Sequence, residues 1–63
     1  LLMAWSVYIR VKFRALGVTW ATEVWHIGIW DGRKFAVKLD RVPPGSEKVF
    51  DRWGVSVFAP PAK

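Results

Sequence analysis

The sequence predicts an all-β fold, a small five-stranded barrel with one short helical turn before the last strand. Three observations predict it. From Val7 to Arg14 apolar and polar residues alternate strictly, the period of a strand. Gly17, Asp31-Gly32, Pro43-Pro44-Gly45 and Gly54 cut the chain into short segments, as turns do. Five Trp, four Phe and one Tyr in 63 residues supply bulky side chains for a dense core.

The first segment puts Val7, Ile9, Val11 and Phe13 on one face and Tyr8, Arg10, Lys12 and Arg14 on the other. Gly17 ends it. Val18 to Trp30 is then a long β-rich run whose apolar parity changes: Val18 and Trp20 share one parity, and Trp25, Ile27 and Ile29 share the other. Such a switch calls for a bulge or a sharp bend near Thr22 to Val24, giving two strands or one bent strand.

Asp31-Gly32 is a hairpin signal, followed by Phe35, Val37 and Leu39 alternating with Lys34, Ala36, Lys38 and Asp40. A two-residue loop would set Ile27 opposite Ala36 and Trp25 opposite Lys38, splitting the large apolar residues between faces. A three-residue loop of Trp30, Asp31 and Gly32, closed by a bulge, sets Ile27 opposite Phe35 and Trp25 opposite Val37. The second register gathers the bulk on one face and is the one expected. It leaves His26, Lys34 and Lys38 on a flat cationic outer face, with Trp30 projecting from the turn.

Pro43-Pro44-Gly45-Ser46 reads as a loop, Ser46 as the cap of a short helix from Glu47 to Trp53, and Gly54 as its stop. Val55 to Ala59 is the last strand. The sum is an SH3-like barrel, with an OB-like barrel or a three-stranded sheet on one helix as alternatives. Residues 1–63 form one domain, with 1–5 and 60–63 expected as flexible or partner-dependent ends.

Size and composition narrow the function. So short a chain buries a small core, and without cysteine and with one histidine it has neither disulfides nor a structural metal to brace it. Ten aromatics exceed what that core needs, so the surplus belongs on a partner-facing surface. A net charge of +5 favours an anionic partner such as nucleic acid, an acidic protein or a membrane surface. The apolar run of residues 1–9 stops at Arg10, far short of the roughly 20 residues of a membrane span, and lacks the flanks of a signal peptide. The lack of cysteine leans toward an intracellular setting.

Chemistry has few carriers here. His26 is the only side chain that ordinarily titrates near neutrality, and no Ser or Thr lies in a nucleophile setting. His26-Ile27-Gly28-Ile29 with Asp31-Gly32 resembles the histidine strand of papain-like cell-wall peptidases, whose nucleophilic cysteine this chain lacks. The five glycines are isolated and form no phosphate loop. No catalysis, cofactor or metal is therefore expected.

The remaining signal is a basic and aromatic surface. Tyr8, Arg10, Lys12 and Arg14 on the first strand, with His26, Trp30, Lys34 and Lys38 on the hairpin, form the expected binding face. Val11-Lys12-Phe13-Arg14 and Val24-Trp25-His26-Ile27-Gly28 resemble segments of the small basic archaeal chromatin proteins. That resemblance implies an SH3-like sheet bound to the DNA minor groove. The competing expectation is a protein-interaction module or a subunit of a homo- or hetero-oligomer that uses exposed Trp residues.

Overall fold

The structure is a computed structural model and describes residues 4–17 and 19–61. Five strands form: β1 (Ala4–Ala15), β2 (Thr19–Trp30), β3 (Arg33–Leu39), β4 (Glu47–Arg52) and β5 (Val55–Ala59). All pair antiparallel in one sheet of order β3-β2-β1-β5-β4. The all-β class holds. The barrel does not, because β3 and β4 remain unpaired edges of an open sheet, and the described residues contain no helix. The expectation of loose ends falls partly on residues 1–3 and 62–63, outside the described residues.

β1 and β2 run in unbroken register from Ala4 opposite Trp30 to Ala15 opposite Thr19, so β2 is one strand with no bulge near Thr22 to Val24. The neighbouring strands explain why. β3 reaches only Val24, and β5 pairs with β1 only as far as Val11, with one further bond from Lys12 N to the Gly54 carbonyl (2.8 Å). Beyond them residues 13–17 and 19–22 make a two-stranded ribbon open to solvent on both sides. With no buried face there, the apolar parity has nothing to follow.

The β2–β3 turn overturns the expected register. Asp31 (φ 52°) and Gly32 (φ 76°) form a two-residue loop with Trp30 opposite Arg33. Two successive positive φ angles give the type I′ twist that matches paired strands. This local fit wins over the gathering of apolar bulk on one face. Trp25 thus faces Lys38, Ile27 faces Ala36, His26 faces Val37 and Gly28 faces Phe35.

The expected helix is also replaced. Residues 47–52 are β4, joined to β5 through Trp53 (φ 55°) and Gly54 (φ 76°), a second loop of the same kind. Ser46 caps nothing; its hydroxyl donates to the Pro43 carbonyl (2.8 Å) and closes the preceding turn. A register shift between Lys48 and Phe50 makes Val49 the extra residue of a bulge.

The sheet has two unlike faces. On the His26 face, Val24 (4% exposed) and Phe58 (7%) are the buried apolar residues, beside Tyr8, His26 and Phe35. His26 stacks on Tyr8 (4.5 Å between ring centres) and meets Phe35 edge-on (5.1 Å). The Trp25 face carries Trp5, Ile9, Trp25, Ile27, Val57 and Phe50, none of them buried. The radius of gyration of 13.2 Å, against about 11 Å for a compact chain of this length, reflects this single-layer shape.

Candidate nucleic-acid interface

The registers divide the expected binding residues. Tyr8, Arg10, Lys12 and Arg14 lie on the His26 face, as do His26 and Trp30. Lys34 and Lys38 pair with Ile29 and Trp25 and lie on the opposite side. The five-cation surface expected from the three-residue loop is therefore two surfaces. Lys38 is also engaged, with its ammonium 3.7 Å from Glu23, whose other oxygen accepts a bond from the Trp25 indole (3.2 Å).

Tyr8 and His26 pack against each other. Strict alternation put Tyr8 among the cations, but its ring is half-buried on His26. Among the described residues the His26 Nε2 is buried without a hydrogen-bond partner, which costs stability. His26→Phe is accordingly expected to keep the wild-type stability or gain up to about 1 kcal/mol. His26→Ala, which empties the space between Tyr8 and Phe35, is expected to lose about 2 kcal/mol. Urea unfolding checks both, and a Phe variant weaker than the Ala variant would rule out the packing role.

What remains is a row on β1. Arg10, Lys12 and Arg14 alternate along the strand about 6.8 Å apart, so the row spans about 14 Å. Among the described residues none of the three makes a salt bridge, and no acid shares this face of β1 or β2. Arg10 sits at the inner end with its guanidinium 5.1 Å from the Phe58 ring centre. Nearby, Asp51 accepts a bond from the Ser56 hydroxyl (2.9 Å) and pairs with Lys48 (3.3 Å). The Ser56 hydrogen bond first, and then Lys48, hold the Asp51 carboxyl below its ordinary value. Lys12 and Arg14 are exposed and farther out on the ribbon.

Two aromatic or apolar groups join the row that sequence reading left out of it. Trp20 is opposite Arg14, 60% exposed, with the guanidinium 5.7 Å from its ring centre. Leu16, 94% exposed, caps the ribbon tip. The parity of Trp20 with Thr22 and Val24 was the available signal, obscured by the expected bend. Arg33 likewise joins Trp30 on the His26 face at the far end, a placement that only the two-residue loop gives.

The chain matches no known family model, no curated protein and no solved structure. Among the described residues no three of His, Cys, Asp and Glu converge to hold a metal ion. The arrangement offers cations at strand spacing, free of salt bridges among the described residues, beside an exposed indole, a chemistry of phosphate neutralisation and ring stacking.

Proposed function

We propose that the protein binds nucleic acid through the His26 side of the β1–β2 ribbon, with duplex DNA preferred. Arg10, Lys12 and Arg14 contact phosphates, and Trp20 lies against a base or sugar. The observation that carries this reading is the row of cations, with no acid on its face of β1 or β2, running from the sheet onto a ribbon that projects past its neighbours. A two-stranded ribbon is an element the major groove of B-form DNA admits, whereas the deep, narrow major groove of an RNA duplex does not. Catalysis has no part in this reading.

Anisotropy titrations of labelled duplex and single-stranded oligonucleotides test it. Neutralising three phosphates predicts a slope of about −2.7 in log K against log salt, so affinity for duplex falls about 40-fold between about 50 and about 200 mM salt. Lys12→Gln and Arg14→Gln are each expected to flatten that slope by about 0.9 to 1. Lys34→Gln, on the other face, should leave it unchanged. No binding at the lower salt, or equal effects from Lys34 and Lys12, would remove the proposal.

A further inference from the structure

The Trp25 face is apolar, broad and uncovered by the described residues. Trp5 is 51% exposed and Phe50 is exposed, while Ile9, Trp25, Ile27 and Val57 between them are half-buried. The chain's accessible surface is 5323 Å², whereas a folded monomer of 7.2 kDa presents about 4,100 Å². The excess of about 1,200 Å² per chain is spread over both faces and the ribbon, and a stacked pair needs to hide only about 800 Å² of surface per partner to reach the size of a stable interface. We propose that a second copy of this chain covers the face, the two sheets stacking about 10 Å apart as a sandwich.

Charge favours a copy of the chain over an acidic partner. Lys34, Lys38 and Arg52 on this face stand against Glu23 and Glu47, close to balance. The His26 face instead carries Arg10, Lys12, Arg14, Arg33 and Lys48 with Asp51 alone. Stacking through the Trp25 face therefore hides the balanced side and leaves both cationic sides outward. The edges are also self-complementary. The two lysines lie on β3 at one edge and Glu47 on β4 at the other, and the registers carried across the sheet set Glu47 level with Ala36, between Lys34 and Lys38. A two-fold axis parallel to the strands lays β3 of one copy over β4 of the other and pairs these charges twice. An axis across the strands would lay lysine over lysine, which like-charge repulsion disfavours.

Sedimentation equilibrium of the full chain, from micromolar to submillimolar concentration, tests the proposal. The expected species has twice the 7.2 kDa mass of one chain. Ile27→Glu, which places an unpaired carboxylate in the middle of the interface, should raise the dissociation constant about 100-fold or more. Because that variant also risks the fold, a charge-swap series decides independently on exposed residues. Glu47→Lys should weaken the dimer about tenfold, and Glu47→Lys with Lys34→Glu should recover most of that loss. A monomer throughout the concentration range would overturn the proposal, whether or not the face meets some other protein. So would a dimer indifferent to both Ile27→Glu and the swap.

Discussion

Gly28→Ala is expected to abolish cooperative folding. Gly28 lies in β2 opposite Ser6 of β1 and Phe35 of β3, and it is buried. A Cβ there would press into the Trp5 carbonyl oxygen and come within 2.8 Å of the Ser6 Cα. These neighbours are backbone, so no rotamer change relieves the clash and β1 must move away from β2. Overpacking of about 1–3 kcal/mol, together with weakened ladder bonds of about 1 kcal/mol each, amounts to roughly 3–4 kcal/mol. A domain this small has about 3–5 kcal/mol to lose. Urea unfolding followed by far-UV circular dichroism should show no cooperative transition for the variant. Wild-type unfolding would contradict the close approach of the two strands.

Gly54→Ala is expected to cost about 2–3 kcal/mol and to loosen the base of the ribbon. The left-handed conformation at Gly54 (φ 76°) costs an alanine about 1–2 kcal/mol. Its Cβ would also lie 2.8 Å from the Lys12 carbonyl oxygen, against the bond by which Lys12 N donates to the Gly54 carbonyl. Losing that bond adds about 1 kcal/mol. Gly32→Ala is the control, since Gly32 has the same φ of 76° and nothing within 4 Å of the added carbon. It should cost only the conformational part, about 1–2 kcal/mol. Hydrogen exchange should show lost protection of the Lys12 amide in the Gly54 variant and not in the Gly32 variant. Equal costs for the two would mean that the β4–β5 turn does not hold β1.

The strands that could be read from the sequence were those whose local pattern agreed with their surroundings. Alternation from Val7 to Arg14 identified β1, and Asp31-Gly32 marked the β2–β3 hairpin because two positive φ angles are cheap for that pair. Ser46, Glu47 and Gly54 resemble helix punctuation, so the local pattern points to a helix where β4 forms. Nothing local announces that Trp53 will adopt a positive φ. The site suffered from the same limit at one remove. Arg10, Lys12 and Arg14 were placed together because they share one strand, whereas Lys34 and Lys38 were assigned to them through a register off by one residue.

By itself the sequence determined the all-β class, the strong positive charge and the side-by-side cations of β1, since each depends on composition or on neighbours along one strand. Only the tertiary structure decided which strands are neighbours, that the sheet stays open, and that Tyr8 stacks on His26 while Trp20 stands exposed beside Arg14. The reason is that a strand exchanges its two faces with a one-residue slip. A sheet with apolar residues on both sides gives the pattern no strong preference for one register, so the backbone geometry of a two-residue turn makes the choice.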